Sequence, residues 1–478
     1  MLVRQILDPA LAQYAYLIGC PRTGEAIVID PERDIDRYLD LAARHKLRIV
    51  AAADTHIHAD YLSGLREFAE RGVKVYASDE GGTDWRYEWL LDSGYDHRLL
   101  KDGDTFSVGN IRFTTVHTPG HTPEHVAYLV TDLGAGATEP IGMLTGDFVF
   151  VGDLGRPDLL EQAAGLTGTQ EPGARELFHS VAGFKALPPY LQVWPAHGAG
   201  SACGKSLGDI PSSTIGYELR TNPAIRASGS EQGFVDYILA GQPEPPPYFA
   251  RMKRDNRRGP AVLRGVPRVA HLEAAHLGAL AGRTDLAILD TRDRKAFLAG
   301  HVPGAILAEL DYQFATIAGS YVEEGTPVYL VVEEARVDEA VRALIRIGVD
   351  DVRGFFTPAD LAAHAAAGGA LATIPSIDMA ELERRRLQGG VTIVDARGKV
   401  DYDVRHVPGA INVAHTRLLV QLADVPTHAP VLVHCNSGTR SAHAVSLLAR
   451  HGYDVTNVAD LMANYRETAP APSGGASA

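Results

Sequence analysis

The stretch DTHIHADYLSG, from Asp54 to Gly64, decides how the first half of the chain is read. It sets His56, His58 and Asp60 at alternate positions, directly after the apolar run LRIVAAADT. A short apolar run ending in a polar cluster reads as a buried strand that delivers side chains to its carboxyl end, where open α/β sheets hold ligands. Three more runs have this form. IRFTTVHT leads to His117 and His121, IGMLTGD to Asp147 and Asp153, and LQVWPAH to His197. One histidine on an apolar face is more often a core residue than a ligand, but four strand-end clusters together point to a metal.

The 478 residues suggest about three domains, and 45% hydrophobic with 22% charged residues is an ordinary globular balance. A formal charge of −14 argues against nucleic acid as a partner. Three widely spaced cysteines (Cys20, Cys203, Cys435) make no disulfide framework and fit a reducing compartment. The N-terminus lacks the pattern of a signal peptide, and no run reaches the ~18 apolar residues of a membrane helix. A cytoplasmic protein with no membrane partner is expected, as a homo-oligomer.

Proline and charge cluster in AGQPEPPPYFARMKRDNRRGP (Ala240 to Pro260), which reads as a linker over 246–265. It separates a first domain, 1–245, from two copies of a second kind. LAILDTRDRKAFLAGHVPGAI (Leu286 to Ile306) repeats as VTIVDARGKVDYDVRHVPGAI (Val391 to Ile411) at an offset of 105. Each copy continues with a buried strand, a loop and an amphipathic helix, the pattern of α/β units with parallel strands. The copies are placed at 266–372 and 373–467, with a disordered tail at 468–478.

THIHADYLSG, TPGHTPEH, LTGDFVF and WPAHGAG, in this order, resemble the metallo-β-lactamase superfamily, in its glyoxalase II and persulfide dioxygenase branch. The resemblance covers roughly residues 1–250 and implies an αββα sandwich with a metal at its rim. In dinuclear hydrolases of this superfamily, the residue after the aspartate of HxHxD binds the second metal. Here it is Tyr61, and a neutral phenol is a poor substitute for imidazole. Asp60 and His197 alone leave that second site short of ligands. The resemblance then implies one metal, with ligands at His56, His121 and Asp147.

Two imidazoles and one carboxylate form the facial triad of mononuclear non-haem Fe(II) oxygenases, with open positions for O2 and a sulfur ligand. Zinc has no redox chemistry to activate oxygen. His58, Asp60 and His197 become groups that orient ligands or water, with His58 as a third ligand to a single zinc the alternative. Tyr61, Arg156 and Cys203 are candidates for contact with substrate. Arg156, in GDLGRPDL, could clamp an anion or pair with Asp153 or Asp158. Cys203, in HGAGSACGKSLG, could pass on sulfur or be structural. This glycine-rich loop misses phosphate-loop spacing by one residue.

VLVHCNSGTRSAHAV (Val431 to Val445) brings Cys435 off a strand into a loop of Asn436, Ser437, Gly438 and Thr439, with a helix starting near Arg440. Converging amides and a helix N-terminus favour a reactive thiolate. Four residues between Cys435 and Arg440, one fewer than in cysteine phosphatases, make a loop better sized for a sulfur atom. With DARGKVDYDVRHVPGAINV upstream, the segment resembles a rhodanese domain, which implies that Cys435 carries sulfane sulfur as a persulfide, with Arg440 the second catalytic residue. The middle copy reads LVVEEARVDE at the same place, without cysteine or loop glycine, and is expected to be inactive. Together these features predict an iron persulfide dioxygenase fused to a rhodanese. It would turn a small persulfide (glutathione persulfide or similar) and O2 into sulfite, and make or use thiosulfate. A zinc thioester hydrolase resembling glyoxalase II, with an independent rhodanese part, is the alternative.

Overall fold

The structure is a computed structural model describing residues 1–159, 161 and 168–467, so the expected tail at 468–478 lies outside the described residues. It divides into two units: Met1–Pro267 with Val341–Gly348, and Arg268–Ala340 with Val349–Ala478.

Among its described residues the first unit contains fourteen strands: β1 (Leu2–Asp8), β2 (Gln13–Cys20), β3 (Glu25–Ile29), β4 (Arg48–Ala53), β5 (Lys74–Ser78), β6 (His97–Leu100), β7 (Thr105–Val108), β8 (Ile111–His117), β9 (Val126–Asp132), β10 (Gly142–Gly146), β11 (Val149–Phe150), β12 (Asp153–Leu154), β13 (Gln192–Pro195) and β14 (Ser213–Thr214). Strands β1 to β6 form one sheet in chain order, and a second runs β14-β13-β10-β9-β8-β7. Tyr16, Ile18, Ile27 and Ile29 from the first meet Phe113, Val126, Tyr128 and Leu144 from the second in one core. The other face of the first sheet buries Tyr38 and Phe68 from two helices, and that of the second buries Leu177, Val181 and Phe234 from two others. Period-2 alternation gives each strand two apolar faces, so both sheets are covered on both sides. The result is the expected αββα sandwich.

The segment read as a linker is not one. Phe249–Arg258 is an α-helix of the first unit, with Phe249, Met252, Lys253 and Asn256 buried. Val341–Gly348 also counts with this unit. Arg346 is paired there with Asp8 (2.8 Å) and Asp34 (2.6 Å), and its carbonyl accepts from Leu62 N–H (2.7 Å).

In the second unit, β15 (Ala287–Asp290), β16 (Ile306–Leu307), β17 (Val328–Val331) and β18 (Val352–Phe356) form a parallel sheet ordered β16-β15-β17-β18. Strands β19 (Ser376–Ile377), β20 (Thr392–Asp395), β21 (Ile411–Asn412), β22 (Val431–His434) and β23 (Val455–Val458) form another, ordered β19-β23-β22-β20-β21. Apart from the added edge strand β19, the two orders are the same. The repeat extends to side chains. Arg292 pairs with Asp290 as Arg397 does with Asp395. Phe297 stacks on His301 (3.9 Å) as Tyr402 does on His406 (4.0 Å).

Candidate metal centre and cysteine loop

Four strand ends of the first unit converge. The ligand atoms of His56, His121 and Asp147 lie within 4.8 Å of one another, and all three residues are buried. Asp147 Oδ2 is 3.4 Å from His121 Nε2 and 3.9 Å from His56 Nε2. The far side of each ring is held: His56 Nδ1 meets Thr55 Oγ1 (3.0 Å) and His121 Nδ1 meets the Arg156 carbonyl (3.0 Å). Such contacts fix the tautomer that turns Nε2 toward a metal. Burial and nearby cations push both histidines well below the usual imidazole range, leaving them neutral and able to ligate. Burial raises Asp147 to about 6.

The donors fit a metal ion. Both oxygens of Asp147 and the Nε2 atoms of His121 and His197 are buried without a hydrogen-bond partner. Buried polar atoms are otherwise nearly always paired.

The remaining candidates separate. His58 turns away from the triad, with Nε2 3.2 Å from Asp30 Oδ1, so it is not the third ligand of a His-rich zinc site. Burial opposes charge on His58, but Asp30 raises it to about 9. Tyr61 stacks on His58 (4.5 Å) and donates its hydroxyl to the Asp30 carbonyl (3.2 Å). It faces the interior, which corrects its assignment to substrate. Arg156 is corrected too: it is 1% exposed and holds Asp158 through two bonds (2.7 and 2.6 Å). Its third nitrogen donates to the Ala202 carbonyl, so no free face remains for an anion.

Asp60, His197 and Cys203 form a second group within 4.8 Å. His197 Nε2 lies 3.4 Å from Asp60 Oδ2 and 3.5 Å from Asp147 Oδ1. The expectation of a second site short of ligands counted only Asp60 and His197. Cys203 is a third, brought there because Asp153 accepts the Lys205 and Ser206 amides and pins its loop. Burial and the carboxylates of Asp147 and Asp60 push the Cys203 thiol well up. His117 lies outside the centre. It borders a cavity of about 370 Å³ together with Met143, Phe148, His179 and Phe184.

Sequence reasoning missed Glu124, Asn256 and Lys253. His125 Nε2 accepts from Asp147 N–H (3.0 Å), and Glu124 accepts from Ile57 N–H (2.8 Å). Burial lowers Lys253 to about 8, although Glu124, Cys203, Asp147 and Asp60 pull it back up.

In the second unit Cys435 is buried at the end of β22. Its Sγ accepts from Gly438 N–H (3.1 Å) and lies 3.6 Å from Ser441 Oγ. Gly438 has φ +86°, and a Cβ there would come within 3.1 Å of Ala459 Cα, so the turn requires glycine. The helix Thr439–Arg450 starts from it. Arg440 points to Asp401 (3.3 Å), and Arg397 reaches Asn436 (3.4 Å).

Comparison with known proteins agrees with this architecture. The family model "Metallo-beta-lactamase superfamily" matches residues 8–197, and "Rhodanese-like domain" matches 378–467. A metallo-β-lactamase from Staphylococcus aureus, known as a crystal structure, is 39% identical, with a TM-score of 0.67 over 75% of this chain and 99% of that one. The mitochondrial persulfide dioxygenase ETHE1 of Bos taurus is 28% identical over 237 residues, 48% of this chain and 78% of its own. A Bacillus velezensis protein named "Probable polyketide biosynthesis zinc-dependent hydrolase BaeB" is 26% identical over 209 residues, 44% of this chain and 83% of its own. The chain belongs to the metallo-β-lactamase superfamily and carries a rhodanese-like domain in its C-terminal part. Among the described residues, no helix is long and apolar enough to cross a membrane.

Proposed function

We propose that the first unit is a persulfide dioxygenase holding one Fe(II) at His56, His121 and Asp147, and that Cys435 transfers sulfane sulfur. The observation that carries this reading is the convergent triad beside a Tyr61 committed to Asp30. Similarity to a persulfide dioxygenase and to the rhodanese-like family supports it. When bound, iron(II) supplies redox chemistry with O2 that zinc does not. The two neutral imidazoles and the Asp147 carboxylate hold it, and the surrounding buried residues limit water at the reacting sulfur.

The net reaction takes one persulfide RSSH, one O2 and one water to RSH, sulfite and two protons. The outer sulfur is oxidised by four electrons, and O2 is reduced. At Cys435, the thiolate attacks the outer sulfur of thiosulfate, the S–S bond breaks, and sulfite leaves. The sulfur held on the cysteine then lies beside the Gly438 amide. In reverse, Cys435 persulfide and sulfite give thiosulfate. The middle copy, with Val332 and Glu333 where Cys435 would align, has no thiol for this step.

A specific observation favours the alternative. Asp60, His197 and Cys203, sharing Asp147, could hold a second ion, as a zinc thioester hydrolase would need. Oxygen uptake with glutathione persulfide tests the choice. Uptake by iron-loaded protein supports the dioxygenase; thioester hydrolysis by zinc-loaded protein without any uptake supports the hydrolase.

A further inference from the structure

The helix Phe249–Arg258 turns one face inward, and Asn256 fastens that face to the metal loop. The Asn256 amide donates to the carbonyls of His58 (2.9 Å) and Tyr61 (2.7 Å), and its oxygen accepts from Ser63 N–H (2.8 Å). Lys253 stands three residues earlier, a neighbour on the same helix surface. It is 6% exposed, and its Nζ is 5.0 Å from the Trp85 ring centroid. That Nζ has no hydrogen-bond partner among the described residues.

The groups whose charges act on the ammonium are Glu124, Cys203, Asp147 and Asp60, and its own charge acts on His56 and His121. Glu124 does not close on it. One oxygen of Glu124 takes the Ile57 amide, and the other is unpartnered as well. An unpaired buried ammonium is costly, and an apolar side chain would fill this space without that cost. The Lys253 ammonium, with the Trp85 ring against it and no hydrogen-bond acceptor among the described residues, keeps its donors free for an anion. Two other buried cations near the centre are already taken, Arg156 by Asp158 and His58 by Asp30.

We propose that Lys253 is the anion-binding residue of the metal centre, donating from Nζ to a sulfur-borne anion: the perthiolate of the incoming persulfide and the sulfite formed from it. The identity of the anion rests on the persulfide reading above; the site itself rests on the position of Lys253.

Sulfite titrated calorimetrically into metal-loaded, full-length protein is the probe, in a Cys435→Ser background that confines binding to the first unit. Lys253→Met and Lys253→Gln remove the charge at similar size; Lys253→Arg keeps it. Sulfite affinity should fall about tenfold or more in both neutral variants, as for a lost charge-assisted hydrogen bond, and be largely kept in Arg. With Cys435 intact, KM for persulfide should rise by a similar factor, with metal content and sulfur transfer unchanged. Equal sulfite affinity in wild type and either folded neutral variant overturns the proposal, as does a wild type that binds no sulfite. A loss seen with glutathione persulfide but not with sulfite also overturns it, and assigns the lysine to the carrier's carboxylate. Sulfite bound through Lys253 by a protein that takes up no oxygen with persulfide sinks the dioxygenase reading alone.

Discussion

His125 Nε2 accepts the backbone N–H of Asp147 at 3.0 Å, while its Nδ1 meets Thr118 Oγ1 at 2.7 Å. Asp147 is thus held by its main chain, and both carboxylate oxygens stay free for a metal. Gly155 adds to this restraint, since a Cβ there would lie 1.7 Å from the Asp147 carbonyl oxygen. His125→Phe fills the space without an acceptor. Metal affinity, read by chelator competition, should fall about 10–100-fold, with the unfolding of the second unit unchanged.

Asn256→Leu leaves the Ser63 amide and the His58 and Tyr61 carbonyls without their partner. Unsatisfied buried groups of this kind cost about 1–3 kcal/mol each. The first unit's thermal transition should move down by several degrees, and metal should be lost with it. An unchanged transition would show that the helix Phe249–Arg258 does not brace the loop.

Cys435→Ser should abolish sulfur transfer and leave persulfide-driven oxygen uptake intact, because the two sites use separate residues. Gly438→Ala should reduce transfer without removing the thiol, since the alanine is strained at φ +86°. Loss of oxygen uptake in either folded variant would contradict the division of labour.

The strand-end clusters were legible because each strand is a short apolar run closed by a polar cluster, and that pattern survives without any contact information. The repeat was legible too, down to the His301 and His406 positions. The helix Phe249–Arg258 was not. Its inward face carries a lysine and an asparagine, so the 3.6-residue apolar period that marks a helix is broken by the polar groups that serve the site. The choice between roles for Arg156 rests on a rotamer, and Asp158 two residues on settles it. Cys203 enters the centre only because Asp153 ties down a loop of small residues, which no local pattern announces.

His443 of the second unit is buried and His415 half-buried, and desolvation lowers them to about 4 and about 3. Arg294 and Glu309 (3.6 Å) face His443, Arg440 acts on His415, and the two rings stack at 6.4 Å. Their folded values lie below the ordinary imidazole value, so the unfolded chain binds protons first as pH falls. The stability they contribute is present above about pH 6.5 and is lost below it, by up to about 1.4 kcal/mol per histidine per pH unit. The second unit's melting temperature should drop between pH 7 and pH 5, and less so in a His443→Gln variant.

The central claim is a single redox-active ion at His56, His121 and Asp147 that makes oxidation of sulfur depend on O2. Iron and zinc counted per chain in the active protein, alongside sulfite formed from glutathione persulfide with and without air, test it most directly. The account predicts about one iron per chain, one sulfite per O2 consumed, and no sulfite in the absence of air. Two metal ions per active chain, or turnover undiminished without oxygen, would contradict it.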